Sequence, residues 1–227
     1  MELAGATWPQ VEATRARTVL AIPLGSLEQH GPHLPLDTDT RIAGAVAAGL
    51  AARCRGITVA PTVAYGASGE HADFPGTLLV GHAVLSDLLV ELVRSARPSF
   101  AGVVLVNAHG GNEEALASVQ RRCTGEGDDV LVWRAMTPGG DAHAGRTETS
   151  LLLAIDPGAV RLELAEPGRT EPIATLLPRL RAEGVRPVSS NGVLGDPTGA
   201  SAEEGLALLD ALVHDLTATV SAHWSPS

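Results

Sequence analysis

The chain has 227 residues, a formal net charge of −10, and a composition that is 44% hydrophobic but only 3% aromatic. This length predicts one α/β domain over residues 1–227. The acidic charge argues against nucleic acid as a partner, because a phosphate backbone would be repelled. The sequence contains no lysine, which excludes chemistry that needs a Schiff-base lysine or a P-loop lysine.

The cysteines and the apolar runs indicate a cytoplasmic protein. Cys54 and Cys123 are far apart and lie in predicted helices, so we interpret them as packing residues of a reduced protein and not as a disulfide. The N-terminal residues have no basic stretch followed by an apolar one, and no run predicts a transmembrane span. We therefore expect a cytoplasmic location without a membrane partner.

In the first half of the chain, predicted strands and helices alternate. A buried strand is predicted at "TVLAIPLG", Thr18–Gly25, followed by a helix at Thr40–Cys54 with Asp39 or Thr40 as its N-cap. The segment "ITVAPTVAYG" predicts a second strand and "HAVLSDLLVELVRSA" a second helix. The segment "GVVLVNAHGGN" then predicts a strand that runs into two glycines.

The second half continues the alternation. A helix is predicted at "EEALASVQRRC", capped by Asn112, then a strand at "DVLVWRA" and a helix starting near Thr147. An added helix in "RTEPIATLLPRL" and a long loop precede a last helix, for which Ser201 and Glu204 form a capping-box pattern. Such alternation predicts a mostly parallel sheet covered on both faces, with ligands at the carboxyl ends of the strands.

Carboxylates and imidazoles follow several of these strands. Glu28 and His30 are two residues apart, so they point the same way in extended chain, and more such groups follow later at Asp39, His109, His143 and Glu148. Mixed oxygen and nitrogen ligands without thiolate suit zinc, manganese or iron(II). Two ions that share a carboxylate need roughly five or six ligands, which this set can supply.

Each of these residues also has an ordinary structural interpretation. His109 alone could be a hydrogen-bonded loop histidine, Asp39 a turn residue or cap, and Glu148 a partner of its helix dipole. A serine hydrolase is disfavoured because the sequence has no G-x-S-x-G motif. The coincidence of all these groups at one sheet edge favours a metal site.

Three motifs carry a resemblance. The segments "LGSLEQHGPHLPLDTDT", "NAHGGN" and "HAGRTETS" resemble the signatures of the creatininase family of metal-dependent amidohydrolases, over about Val19 to about Ala200. The resemblance implies a three-layer αβα sandwich with a mostly parallel sheet. It also implies a homo-oligomer that hydrolyses carbon–nitrogen bonds with two divalent metal ions per subunit.

The resemblance also implies which residues of this chain bind the metal ions. It makes metal ligands of Glu28, His30, Asp39 and His109, with Asp39 bridging. The family glutamate two residues after the last of these is replaced by Gly111, and we expect Glu148 to fill its place, with Glu113 as the alternative.

The resemblance also bears on catalysis and on the substrate. His143 resembles the family histidine that moves protons near the substrate, so His143 and Glu148 are the predicted catalytic residues. The Trp-Asp pair that creatininase has shortly before this histidine is replaced by Gly139 and Gly140. This loss argues against creatinine as the substrate.

A closer resemblance lies within one branch of the family. The segments "AYGASGEHADFPGTL", "DAHAGRTETSLLL" and "SSNGVLGDPTGAS" are similar to the creatininase-like peptidases of mycofactocin biosynthesis. This implies a ribosomally made precursor peptide as substrate, from which a modified C-terminal Val-Tyr-derived dipeptide is released. We expect the substrate side to be lined by Ser68, Glu70 and His71.

Three other choices stay open at this point. The same ligands accept Zn²⁺, Fe²⁺ or Mn²⁺. The reaction could instead be creatinine ring opening or formamide hydrolysis. A non-catalytic metal-binding scaffold is the alternative from another class, although it would require a broken ligand set.

Overall fold

The computed structural model describes residues 1–224. Within that range the chain forms four strands, which are β1 Val19–Leu24, β2 Ile57–Val59, β3 Gly102–Asn107 and β4 Val130–Arg134. The same range contains seven α-helices, which are α1 Trp8–Glu12, α2 Thr38–Arg53, α3 His82–Ala96, α4 Glu113–Gly125, α5 Arg146–Ile155, α6 Ile173–Glu183 and α7 Ala202–His223. The predicted alternation of strands and helices is confirmed.

The strands form one sheet in the order β2-β1-β3-β4, and every pairing is parallel. Asn107 at the end of β3 pairs with Leu24 of β1 and with Arg134 of β4, so these three strands end at the same level. The predicted second strand is too long, because β2 ends at Val59. Pro61 follows shortly afterwards and has no N–H to donate to a ladder.

Helices cover both faces of the sheet. Alternate residues of β3 point to opposite sides: Val104 and Val106 pack with α2, α5 and α7, whereas Val103 and Leu105 pack with α3 and α4. Cys123 is buried in the second of these layers and forms no disulfide. The predicted three-layer αβα sandwich is confirmed.

Two predicted helix starts differ in detail. The residue at the N-cap of α2 is Asp37, so the prediction of Asp39 or Thr40 is wrong, and Asp39 lies in the first turn with its carboxylate buried. At α7, Ser201 Oγ accepts the predicted hydrogen bond from the backbone N–H of Glu204. The carboxylate of Glu204 accepts instead from Arg146, so only half of the capping box forms.

The helix α7 is, within residues 1–224, the one helix long and apolar enough to cross a membrane by length and composition. The sequence did not predict such a segment. One face of α7 packs in the layer with α2 and α5, where Leu212 and Leu216 are buried. Gly205 brings α7 into backbone contact with α5, since a Cβ there would lie less than 3.0 Å from the carbonyl oxygen of Ser150.

Candidate metal centre

The loop after β1 carries the first two candidate ligands. It leaves the sheet at Gly25, where a Cβ would lie less than 3.0 Å from Thr40 at the start of α2. This close approach folds the loop back over the end of the sheet and places Glu28 and His30 beside Asp39 in the first turn of α2. All three side chains are essentially inaccessible to solvent.

The first set of candidate ligands is Glu28, Asp39 and His109, whose ligand atoms all lie within 4.8 Å of one another. His109 follows the end of β3, and its two ring nitrogens face two carboxylates. Nδ1 lies 3.0 Å from Asp39 Oδ2, and Nε2 lies 3.2 Å from Glu28 Oε2.

The second set is His30, His143 and Glu148, again within 4.8 Å of one another. His30 donates from Nδ1 to the backbone oxygen of Glu28 at 3.1 Å, which turns Nε2 toward the carboxylates. This Nε2 lies 3.2 Å from Asp39 Oδ1 and 3.8 Å from Glu148 Oε2. Asp39 therefore faces the second set with one oxygen and the first set with the other, as a bridging carboxylate would.

His71 joins the cluster from the long connection between β2 and α3, twelve residues after the end of β2. Its Nε2 lies 3.3 Å from Glu28 Oε1, and its ring centroid is 4.5 Å from that of His143. Glu28, His71 and His143 thus form a third group with metal-ligand spacing. The sequence predicts His71 on the substrate side, and no local sequence pattern indicates that it would reach Glu28.

Gln29, which the sequence analysis did not select, orients both of these histidines. Its side-chain Nε2 donates to His71 Nδ1 at 2.8 Å, so the His71 proton lies on Nε2. The backbone oxygen of Gln29 accepts from His143 Nε2 at 2.9 Å. The other ring nitrogen of His143 is left facing Glu28 Oε1, at 3.8 Å.

The chemistry of this cluster fits a cation. Neither side-chain oxygen of the completely buried Glu28 accepts a well-aligned hydrogen bond from the described residues, although the imidazoles of His71 and His109 lie 3.3 Å and 3.2 Å away. Buried carboxylates are normally paired or bound to metal, because stripping water from an unpaired charge is strongly unfavourable. Oxygen and imidazole donors around such a carboxylate are the ligands that zinc, manganese and iron(II) prefer.

The raised pKa values of two histidines also indicate that the carboxylates of this cluster stabilise positive charge. Burial opposes protonation of His30 and His109, but the carboxylates around them outweigh it and raise the pKa of each imidazole to about 10. Burial likewise disfavours the charged form of Asp39, yet these two imidazoles hold its pKa well below the usual range. A divalent ion would take over the charge that these protons supply.

Burial dominates the pKa values of the remaining groups. It raises the pKa of Glu148 to about 7, and it lowers that of His71 to about 3. The pKa of His143 is also held well below its ordinary value by burial and by the neighbouring His30. His143 is therefore a neutral imidazole at pH 7 in the metal-free protein.

The other predicted residues lie at different distances from the cluster. Ser68 is fully buried, hydrogen-bonds to Ser26, and has its hydroxyl 3.4 Å from His109 Nε2. Glu70 lies on the wall of the adjoining cavity. Glu113, the alternative ligand, is instead paired with Arg134 at 2.7 Å, so the structure brings Glu148 and not Glu113 to the cluster.

The cluster opens into a cavity of about 680 Å³. Glu28, Asp39, His109, His143 and Glu148 form part of its wall. The size is that of a typical small-molecule or peptide site, and its place beyond the carboxyl ends of parallel strands is where ligands bind in such sheets. Fold and site together define an α/β protein with a candidate metal centre at the carboxyl ends of its strands.

Comparison with known proteins identifies the family. The creatininase (creatinine amidohydrolase) family model matches residues 4–220. A creatinine amidohydrolase of Pseudomonas putida is 30% identical, over 97% of this chain and 96% of its own length. The chain therefore belongs to the creatininase family, and it is a hydrolase that acts on carbon–nitrogen bonds, as predicted.

Two further relatives share more residues with this chain. Both are named mycofactocin precursor peptide peptidase. The protein of Mycobacterium ulcerans is 48% identical, over 97% of this chain and 87% of its own length. The protein of Mycolicibacterium smegmatis is 49% identical, over 92% of this chain and 86% of its own length.

Solved creatininases share the fold. A crystal structure of creatinine amidohydrolase superposes with a TM-score of 0.79 at 26% identity, covering 100% of this chain and 98% of its own. Related solved structures include a manganese form of creatininase and a zinc–zinc form of a creatininase mutant, with TM-scores of 0.79 and 0.78. Metal binding is thus established among proteins of this fold.

Proposed function

We propose that the chain is a peptidase that cleaves the mycofactocin precursor peptide and releases its modified C-terminal Val-Tyr-derived dipeptide. The observation that carries the proposal is the 48–49% identity to peptidases of that name along nearly the whole chain, against 30% to the creatinine amidohydrolase. A cavity of about 680 Å³ beside the cluster agrees with a substrate larger than a single small ring.

Two divalent ions, zinc or iron(II) and also manganese, are the proposed cofactors. Glu28 and His109 would hold one ion, and His30 and Glu148 would hold the other. Asp39 would contribute to both sites, since its two oxygens face the two sets. When bound, such ions polarise a scissile carbonyl and lower the pKa of a water molecule toward about 7.

His143 is the proposed proton carrier. Its Nε2–H is committed to the backbone oxygen of Gln29, so in the neutral ring the free lone pair is on Nδ1, which faces the cluster. Nδ1 can take a proton from the attacking water and pass it to the leaving nitrogen as the carbon–nitrogen bond breaks. In the metal-free protein, burial and the neighbouring His30 lower the pKa of His143, so the ring is neutral at pH 7 and able to accept a proton.

The residues predicted on the substrate side have two proposed roles. Glu70 and His71 lie on the cavity wall and would face the substrate. Ser68 does not reach the cavity wall, so we assign it to positioning His109, which its hydroxyl approaches to 3.4 Å.

A cleavage assay read by mass spectrometry tests the function. Protein loaded separately with zinc, iron(II) or manganese is incubated with the modified precursor peptide, the unmodified peptide and creatinine. We expect metal-dependent release of a dipeptide-sized fragment from the modified peptide. Glu28→Gln should abolish it, whereas Glu114→Gln should not, because Glu114 lies on the same cavity wall but pairs with His82 at its rim.

The remaining outcomes decide against the proposal in different ways. Ring opening of creatinine with an intact peptide would make the protein an amidohydrolase of small rings. Bound metal with no reaction on any substrate would favour the scaffold alternative.

A further inference from the structure

One wall of the cavity is an apolar stripe on α6. Ile173, Leu177 and Leu180 are spaced four and three residues apart, which places them on one face of the helix, and all three line the cavity. Ile173 is 41% exposed and Leu177 is 37% exposed, so within residues 1–224 much of their surface meets no protein atom. We call these three residues the α6 stripe.

Packing and a backbone hydrogen bond connect the α6 stripe to the candidate metal centre. Leu180 packs into a small hydrophobic cluster with Leu176 and Val185, beneath the exposed part of the stripe. The backbone N–H of Val185, just past the end of α6, donates to the backbone oxygen of Glu70 at 2.8 Å. Because Glu70 immediately precedes His71, this bond ties α6 to the segment that carries a cluster histidine.

Position distinguishes this stripe from ordinary surface leucines. Single exposed apolar side chains are common and need no explanation. Leu206 on α7 is such a residue, since it is 60% exposed and is not part of the cavity wall. The α6 stripe instead borders a cavity whose other walls carry Glu28, His109 and His143. An apolar wall beside convergent polar groups is how ligand sites combine affinity with orientation.

We propose that the α6 stripe is a binding site for the apolar side chain of a substrate residue that adjoins the scissile amide. The inference rests on the proposed peptidase function and adds to it a selectivity for aliphatic or aromatic residues next to the cleaved bond. Burial of the exposed parts of Ile173 and Leu177 against that side chain supplies the affinity. Substrates with glycine at that place lack this contact.

Two hydroxamates test the stripe without the peptide. Acetohydroxamic acid and phenylacetohydroxamic acid chelate the metal with the same group and differ by one phenyl ring. Calorimetric titration of the zinc-loaded protein should show phenylacetohydroxamic acid binding at least about 10-fold more tightly, the range seen for hydrophobic pocket contacts. Leu177→Ala should remove most of that preference while leaving the affinity for acetohydroxamic acid unchanged.

Leu206→Ala is the matched control, because it truncates an exposed leucine on another helix and should keep the full preference. Equal affinities of the two hydroxamates for the unaltered protein would overturn the inference. So would a preference that survives Leu177→Ala. If the phenyl preference depends on Leu177 but the precursor peptide stays intact in the cleavage assay, the stripe is confirmed as a site and the proposed function fails.

Discussion

Gly111 occupies the position at which the family resemblance expects a glutamate ligand, and the structure leaves no room for a side chain there. A Cβ on Gly111 would lie less than 3.0 Å from the backbone oxygen of Ala67 and from Nε2 of His109, and 2.8 Å from a carboxylate oxygen of Glu70. The first of these atoms is backbone and cannot move alone. The second belongs to a candidate ligand.

Gly111→Ala should therefore destabilise the protein and disturb the metal centre. Overpacking of this kind costs about 1–3 kcal/mol of unfolding free energy. For a chain of about this size, that loss lowers the melting temperature by about 2–12 °C. Scanning calorimetry measures the shift, and titration with zinc in competition with a chromophoric chelator measures the accompanying loss of affinity caused by displacement of His109.

The neighbouring glycine supplies the control. Gly110 lies in the same short 3₁₀ turn, and a Cβ there would meet no atom within 4 Å. Gly110→Ala should leave both the melting temperature and zinc affinity close to those of the unaltered protein. Equal behaviour of the two alanine variants would refute the steric argument. Recovery of metal binding in a Glu148→Gln protein by adding Gly111→Glu would refute it as well.

Three other changes have defined outcomes. Glu148→Gln should reduce the bound metal from two ions per chain to one by elemental analysis, whereas Glu113→Gln should retain two because its carboxylate is engaged outside the cluster. Glu126→Gln should lower the melting temperature at pH 7. Two arginines depress the pKa of Glu126 to about 2. The difference in melting temperature between the unaltered protein and Glu126→Gln should therefore be largest above the unfolded pKa of about 4.3, and it should shrink as the pH falls toward 2. Gly205→Ala should destabilise the protein by about 1–3 kcal/mol in urea titrations, because its Cβ overlaps the backbone oxygen of Ser150.

The parts of the site that the sequence could predict are those set by short-range geometry. His109 stands two residues after the last residue of β3, and Glu28 four residues after the end of β1. The ends of parallel strands meet at one edge, so a strand pattern is enough to bring such residues together. Glu148 could be expected there because it lies in the first turn of α5, which follows the loop from β4.

What the sequence could not predict depends on contacts between distant segments. His71 reaches Glu28 only because the 3₁₀ turn at Gly69–His71 meets the loop after β1, where the side-chain amide of Gln29 donates to His71 Nδ1 across 42 residues of chain. The α6 stripe gave no signal either. A helix with three apolar residues on one face is ordinary core patterning, and only the cavity shows that two of them lack a protein partner.

The difference between the predicted and the observed N-cap of α2 has a functional explanation. Aspartate is among the residues preferred at a helix N-cap, and that preference is why the sequence predicts Asp39 as a cap. The helix instead begins one residue after Asp37, and Asp39 occupies its first turn, where the positive end of the helix dipole favours an anion. With imidazoles on both sides, its pKa is held low, while burial raises the pKa of Glu28 and Glu148. Asp39 is thus the carboxylate of the cluster whose ionised form is most favoured, and each of its two oxygens faces one of the ligand sets. A capping hydrogen bond would have consumed one of them, so the departure from the capping rule is what leaves Asp39 free to bridge.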